Sequence, residues 1–463
     1  MGDFLRIRRR EVDENVLSPR NVRLIKDWIQ DCRYNHYACS PLASASEPAR
    51  PTRLVYVGNR SSGTLPRLVL SQHLPKDVRF AALSYCWGAP GSMRLTTTME
   101  TLHERLYGIP WNYIPRAFLD AFHVAVTLGL EYVWIDALCI IQDDERDWQV
   151  EATMMGDIYR GAQITLVAAS SASTNEGFID RVDRHAEIRL SFETRKSQPI
   201  SGHYSLMWSP QGYEEEFKRD VEHSVWNSRG WCFQERQLSR RVLFFGKRKV
   251  YFECKMHRRE EGFAGPLNRS LALYKHMQNN GDDADMYMHV LQLSWRKIVE
   301  EFSRRNFTYE KDRLPALSGI AQEIYQKAYI EVKETRSYLA GLWLDAIEMD
   351  LAWLAETEEQ RPWDFDLGRR PEERRSPTWS WVTYPGKVSW HKMPAGASFQ
   401  SLCVVENATT QLNASDPFGG VASGFIEITG YLLKIDIPDY HKLSRVDEWQ
   451  TWSVSMPSFN AMC

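Results

Sequence analysis

The sequence lacks the features that mark secreted and membrane proteins. Its apolar stretch at residues 124–141 is interrupted by Glu131 and Asp136, which makes it a poor membrane span. No apolar signal-peptide segment follows the first residues, and position 6 is Arg where a myristoylation signal has Ser or Thr. The eight cysteines are scattered, at positions 32, 39, 86, 139, 232, 254, 403 and 463. This pattern does not fit a disulfide scaffold, so we expect a soluble protein of a reducing compartment, the cytoplasm.

Two further absences narrow the function. The formal net charge of the 463 residues is −3, which argues against a nucleic-acid partner, and the one basic run, at residues 6–10, is interpreted as a solvated tail. The sequence has no Gly-x-x-x-x-Gly-Lys phosphate loop, no dinucleotide fingerprint and no Gly-x-Ser-x-Gly elbow, and we predict no bound cofactor. With 43% hydrophobic and 12% aromatic residues, the chain still has ample material for a buried core.

Three short blocks carry most of the information in the chain. The first is Phe80-Ala-Ala-Leu-Ser-Tyr-Cys-Trp-Gly88. The second is Trp134-Ile-Asp-Ala-Leu-Cys-Ile-Ile-Gln-Asp-Asp144, which leads into Trp148-Gln-Val-Glu151. The third is Ser228-Arg-Gly-Trp-Cys-Phe-Gln-Glu-Arg-Gln-Leu-Ser239.

Apolar periodicity around the first two blocks predicts alternating strands and helices. The strands are expected at 80–85, 132–135 and 164–169, and the helices at 114–128 and 147–159. This order predicts an α/β fold with a parallel sheet flanked by helices. The rest of the chain is expected to hold a polar, irregular insertion at 170–224, a hairpin around Gly246, and a Trp-rich α+β region with helices at about 286–304 and 312–330 and strands at 419–437.

Two carboxylates of the second block are candidate site residues. Asp136 follows a predicted strand, and in open parallel sheets ligands bind beyond the carboxyl ends of the strands; alternatively, Asp136 caps the next turn. Glu151 shares a helix face with Trp148 and other apolar residues, where a carboxylate is costly unless it is paired or protonated. It is therefore either an active-site group or half of an ion pair, with Arg116, Arg160 and Arg229 as available partners.

The first and third blocks supply candidate binding residues. Ser84, Trp87 and Gly88, next to Tyr85, end a predicted strand and could hold a ribose or a base, although a strand end with a packed Trp is equally compatible. Arg229, in the third block with Trp231, could contact a phosphate or pair with a carboxylate of the second block.

An N-terminal helix is predicted at residues 22–39, followed by a linker at 41–51. Cys32, His36 and Cys39 lie on one side of this helix and are weak candidates for metal ligands, because three ligands leave a site incomplete. Cys254 and His257 are distant candidates to complete it. Small buried cysteines that only pack are the alternative, and we predict no metal.

In their order and spacing, the three blocks resemble the fungal heterokaryon-incompatibility (HET) domain. Departures are small: Ala137 stands where relatives often have Ser, and Cys232-Phe233 where Thr-Leu is more usual. The resemblance implies a HET domain at 77–239, after a lead-in at 1–76 and before a C-terminal region at 240–463 packed on it. It also implies a TIR-like, flavodoxin-like sheet and a cell-death effector that acts after non-self recognition.

Enzymatic TIR domains cleave the nicotinamide–ribose bond of NAD with one glutamate on a helix, preceded by a Trp. Trp148 and Glu151 look similar, with a spacing one residue shorter, so the resemblance implies Glu151 as the catalytic residue and NAD as a possible substrate. Ser84, Tyr85, Trp87, Gly88, Asp136, Arg229 and Trp231 are the expected substrate-binding residues. One alternative is a non-enzymatic, self-associating signalling module that recruits an incompatibility partner. The other is a HET-like protein of a metabolic gene cluster without a death role.

Overall fold

The structure is a computed structural model. It describes residues 12–40, 50–89, 95–181, 187–194, 201–207, 213–268, 284–332, 337–356, 376–391, 401, 403–413, 415–430 and 459–462. The basic run at 6–10, most of the predicted linker at 41–51 and the end of the predicted strand region, 431–437, lie outside these residues.

A mixed sheet of nine strands forms the centre of the described structure, in the order β11-β10-β9-β8-β5-β3-β4-β1-β2. A separate hairpin is formed by β6 and β7. In chain order the strands are β1 (Arg53–Tyr56), β2 (Arg67–Leu70), β3 (Phe80–Ser84), β4 (Tyr132–Trp134), β5 (Ile164–Val167), β6 (Glu187–Glu193), β7 (Ser201–Met207), β8 (Arg241–Phe245), β9 (Val250–Cys254), β10 (His257–Glu260) and β11 (Leu267–Asn268).

The middle of the sheet is parallel, as the sequence predicts. Strand β3 pairs in parallel with β4 and β5, and β5 pairs in parallel with β8. Numbered along the chain from β3, these four strands lie in the order 2-1-3-4, which is the order of flavodoxin-like sheets. Ser84 and Val167 are paired at the ends of β3 and β5, where such a sheet has its switch point.

The edges of the sheet are antiparallel, and the hairpin predicted around Gly246 is confirmed as β8 and β9. Strands β1 and β2 form a hairpin beside β4, and β8 to β11 form a meander. Short loops such as the one at Gly246 can join only antiparallel neighbours, whereas a parallel pair needs a longer crossover. The α/β class is confirmed, but the sheet is mixed.

Ten α-helices are assigned among the described residues. They are α1 (Pro19–Asn35), α2 (Leu102–Tyr107), α3 (Arg116–Leu128), α4 (Asp136–Cys139), α5 (Glu145–Gly161), α6 (Tyr213–Phe217), α7 (Gly230–Leu238), α8 (Ala284–Phe302), α9 (Pro315–Val332) and α10 (Ile347–Asp350). None of the described helices combines the length and the apolar composition that crossing a bilayer requires.

Local signals explain where the two crossover helices begin and end. Helix α3 follows Pro115 and ends at Gly129, whose φ of 81° lies in the left-handed region that favours glycine. Helix α5 begins after Asp144, whose carboxylate accepts hydrogen bonds from the backbone N–H of Arg146 and Asp147. The second sequence block therefore lies between the end of β4 and the start of α5.

Two parts of the chain fold differently from the prediction. Helix α1 ends at Asn35, so Cys39 lies in a separate 3₁₀ turn, Tyr37–Cys39, and not on the predicted helix. The insertion at 170–224 is not irregular throughout, because it contains the β6–β7 hairpin and α6.

The region after β11 packs against the helical side of the sheet. Helix α9 contacts both α5 and α7, and at the α5 contact a Cβ built on Gly156 would lie 3.3 Å from Cα of Gly319. The hydrophobic core of this C-terminal region contains Trp295, Trp343 and Trp381. The strands assigned among the described residues of this region are β12 (Tyr338–Leu339), β13 (Leu342–Trp343), β14 (Trp353–Ala355), β15 (Val388–Trp390), β16 (Cys403–Leu412), β17 (Val421–Gly430) and β18 (Phe459–Met462). The predicted boundary at residue 239 falls between α7 and a strand of the main sheet.

Candidate active site at the strand ends

Ser84, the last residue of β3, lies at the centre of a polar network. Its side chain is buried. The hydroxyl donates a hydrogen bond to the carboxylate of Glu235 and accepts one from the indole N–H of Trp226, at 2.6 Å. These contacts bring the end of the first sequence block onto helix α7 of the third block.

Glu235 is the deepest carboxylate of the network. Burial raises the pKa of this side chain to about 7, against the opposing effects of the Ser84 hydrogen bond and the Arg229 charge. A carboxyl group with a pKa near neutrality can accept or donate a proton under physiological conditions. The sequence prediction did not select Glu235, although a signal exists: it is three residues from Cys232 and from Leu238, on the same apolar helix face.

Asp136 provides a second carboxylate, at the end of β4. Its side chain accepts hydrogen bonds from the hydroxyl of Tyr85 at 2.7 Å, the indole N–H of Trp87 at 2.8 Å and the backbone N–H of Ala137 at 2.7 Å. Asp136, the first residue of α4, therefore accepts a backbone N–H at the start of that helix and also holds the aromatic residues of the first block. Unlike Glu235, Asp136 and Trp87 are only partly buried.

Arg229 connects the third block to the first. Its guanidinium donates a hydrogen bond to the carbonyl of Tyr85, and its charge opposes the rise in the pKa of Glu235. Gly88, in the turn after β3, has a φ of 92°, a conformation that suits glycine. We call Ser84, Tyr85, Trp87, Asp136, Trp226, Arg229 and Glu235 the strand-end network.

Trp231 is oriented towards the C-terminal region. Its indole N–H donates to the carboxylate of Asp312 at 3.3 Å, and its ring meets that of Trp148 edge-on, with centroids 6.4 Å apart. The structure thus relates Trp231 to the packing of α7 more directly than to Ser84.

Glu151 has a different set of neighbours. It is fully buried on α5, and its carboxylate lies 3.6 Å from Nη2 of Arg53. Burial raises the pKa of Glu151, while Thr52 and Arg53 oppose that rise. Arg53 also donates to the Asp147 carboxylate and, at 2.6 Å, to the carbonyl of Cys139.

The cation nearest to Glu151 is thus Arg53, on β1, and not one of the three arginines suggested by the sequence. Arg160, for example, pairs with Asp157 and Glu323. The catalytic role predicted for Glu151 stays a prediction, and Glu235 is the glutamate that is bonded to Ser84.

The weak metal candidates also meet in space. Cys32, His36 and Cys39 converge with Cys254, at the end of β9, and the four potential ligand atoms lie within 4.8 Å of one another. We call these residues the cysteine–histidine cluster. Cys254 was one of the two distant candidates for completing the set.

Comparison with known proteins shows similarity to one protein family. The family model described as heterokaryon incompatibility protein (HET) matches residues 80–235, from the start of β3 to Glu235. Residues 80–235 are therefore similar to the HET family, and this segment contains Ser84 near its beginning and Glu235 at its end, which are bonded to each other in the strand-end network.

One relative is heterokaryon incompatibility protein 6, OR allele, of Neurospora crassa. It is 23% identical over 191 residues, which cover 36% of this chain and 28% of that protein. This chain thus matches less than a third of the relative's length. No solved structure matches this chain.

Proposed function

We propose that this protein acts in heterokaryon incompatibility as a cell-death effector, and that its HET domain performs the effector step. The observation that carries the proposal is the match over residues 80–235, whose first and last segments form one buried polar network. The similarity to an incompatibility protein of Neurospora crassa supports the same role.

The chemistry that suits the network best is cleavage of an N-glycosidic bond, with NAD as the substrate. Asp136 accepts three hydrogen bonds and is partly exposed, which suits a fixed negative charge beside a developing cation. Glu235, with a pKa of about 7, suits a general base. Two carboxylates in different environments are the usual arrangement for an oxocarbenium-like transition state.

In the proposed reaction, the bond between C1′ of the ribose and the nicotinamide nitrogen breaks. The bonding electrons leave with the nitrogen, so nicotinamide departs neutral and needs no acid. The carboxylate of Asp136 stabilises the ribosyl cation. A water molecule adds to C1′ and gives its proton to Glu235, which yields ADP-ribose. Trp87 is the candidate stacking residue for the nicotinamide or the adenine.

The test is NAD turnover by the purified full-length protein, followed as release of nicotinamide. Glu235→Gln and Glu151→Gln form a matched pair, because both replace a buried helical glutamate by its neutral isostere. We expect Glu235→Gln and Asp136→Asn each to lower turnover on the order of a hundredfold or more, and Glu151→Gln to retain most of it. Loss in Glu151→Gln with retention in Glu235→Gln would return the assignment to Glu151.

The same variants decide between an enzyme and a signalling module. If the folded wild-type protein releases no nicotinamide yet causes death when expressed in a filamentous fungus, the effector step is not NAD cleavage. Self-association and recruitment of a partner would then account for death. Expression of Glu235→Gln in the fungus, at an abundance equal to that of the wild type, is the corresponding measurement in cells.

A further inference from the structure

We propose that Cys32, His36, Cys39 and Cys254 bind one structural zinc ion, which joins the N-terminal helix to the end of β9. This site is independent of the strand-end network and of the proposed NAD chemistry.

The donor set fits zinc in number, type and spacing. Three thiolates and one imidazole make up a Cys₃His set, which structural zinc sites use in tetrahedral geometry. With Zn–S bonds of about 2.3 Å, the edges of such a tetrahedron measure roughly 3.8 Å. The four ligand atoms already lie within 4.8 Å of one another, so binding requires only a small contraction.

All four side chains are buried, and the most exposed, His36, retains 8% of its surface. A closed site with four protein ligands leaves no open position for a substrate. This distinguishes a structural zinc from a catalytic one, which keeps a position for water.

His36 is held in the orientation of a metal ligand. Its Nδ1 lies 3.3 Å from Sγ of Cys254, while its Nε2 points to the carboxylate of Asp31, at 3.7 Å. Asp31 is in turn paired with Arg259. A ligating histidine usually directs its other ring nitrogen to a carboxylate or carbonyl, which fixes the tautomer and the ring.

One of the cysteine sulfurs already accepts a backbone hydrogen bond. The backbone N–H of His257 donates to Sγ of Cys254 at 3.4 Å. Binding of a divalent cation by the three thiols would release their protons.

The backbone is shaped to bring these donors together. Helix α1 ends at Asn35, and His36 is extended, with φ −110° and ψ 97°. The following 3₁₀ turn returns Cys39 to the side of Cys32. Without that break, Cys39 would lie about two helical turns beyond Cys32, roughly 10 Å further along the axis. The fourth ligand comes from a point 218 residues after His36, so the ion would cross-link distant parts of the chain.

A disulfide would use the same cysteines differently. None of the seven cysteines that the structure describes forms a disulfide bond. A disulfide would also leave one thiol of the three over and would not explain the orientation of His36.

The experiment uses the full-length protein, expressed without a polyhistidine tag and purified without added metal or chelator. Metal content is measured by mass spectrometry of the elements, and the four side chains are checked for oxidation on the intact protein. We expect about one zinc per chain. Protein with intact, reduced cysteines but no stoichiometric zinc, or with a disulfide between two of them, would overturn the proposal.

Two variants test the ligands. Cys254→Ser removes a proposed ligand, and Cys139→Ser replaces a buried cysteine outside the cluster. We expect Cys254→Ser to lose the zinc and Cys139→Ser to keep it. Equal zinc content in both variants would contradict the assignment.

A measurement on the wild type covers the case in which Cys254→Ser does not fold. Zinc is exchanged for cobalt, and the visible spectrum is recorded. Three thiolates and one imidazole predict the intense bands of tetrahedral cobalt together with thiolate-to-cobalt charge transfer. Removing the metal should lower Tm by several degrees, because the site exists only in the folded chain. A six-coordinate cobalt spectrum would exclude the proposed site.

Discussion

The buried carboxyl group of Glu235 should leave a measurable signature in the pH dependence of stability. Burial raises its pKa from 4.5 to about 7 in the folded protein. In the unfolded chain the group is solvated and returns to its ordinary value. The difference corresponds to about 3 kcal/mol between the two protonation states.

The sign follows from proton binding. Between pH 4.5 and about 7 the folded state keeps a proton on Glu235 that the unfolded state has lost. The folded state therefore binds more protons, and the free energy of unfolding falls as the pH rises through this window. Below the window both states are protonated, and above it both are ionised, so the contribution is constant there.

Glu235→Gln removes the titrating group but keeps an oxygen that can accept the hydrogen bond from Ser84. We expect the variant to gain about 3 kcal/mol relative to the wild type as the pH rises from 4.5 to 8. Urea unfolding of both proteins at several pH values measures this difference, because groups common to both cancel. Glu131→Gln, at an exposed position, controls for the loss of one negative charge. Parallel curves for Glu235→Gln and the wild type would refute the raised pKa.

Three further predictions concern the surroundings of the site. Arg53→Met removes the cation that pairs with Asp147 and Glu151, so the free energy of unfolding, measured in urea, should fall by about 3–5 kcal/mol. A fall below about 1 kcal/mol would contradict the ion pairing. Glu151→Gln should cost only about 1 kcal/mol, because Gln keeps the shape of the side chain and Arg53 keeps its ion pair with Asp147; a loss as large as that of Arg53→Met would contradict this. Gly230→Ala places a Cβ 1.9 Å from the ring of Phe307 and should lower the free energy of unfolding by at least about 1–3 kcal/mol. In a Phe307→Ala background the same substitution should lower it much less. Equal losses in the two backgrounds would exclude the clash.

The elements of the fold that could be predicted are those set by local periodicity. The strand–helix–strand pattern from Phe80 to Val167 and the helices after residue 284 follow from apolar spacing. Gly129 marks the end of α3, where the backbone adopts a positive φ that favours glycine. The placement of Ser84 and Asp136 at one edge of the sheet could also be inferred, because each lies at the carboxyl end of an apolar strand.

Partners that lie far apart in sequence could not be predicted in this way. Glu235 is 151 residues from Ser84, and Asp147 is 94 residues from Arg53. No periodicity links such pairs, because they depend on which strands and helices become neighbours in space. Glu151 could be selected from the sequence because its apolar helix face is evident from helical spacing alone. Its partner Arg53 lies on a distant strand, so the three arginines suggested from the sequence were wrong.

The position of Glu235 depends on residues outside the segment that the family model matches. Helix α7 begins at Gly230, whose backbone N–H donates to the carbonyl of Asn306 at 3.0 Å, and Phe307 packs where a side chain at 230 would be. Glu235 itself lies five residues further along the same helix, and its carboxylate accepts the hydrogen bond from Ser84. The C-terminal region therefore fixes the start of the helix that carries this carboxylate.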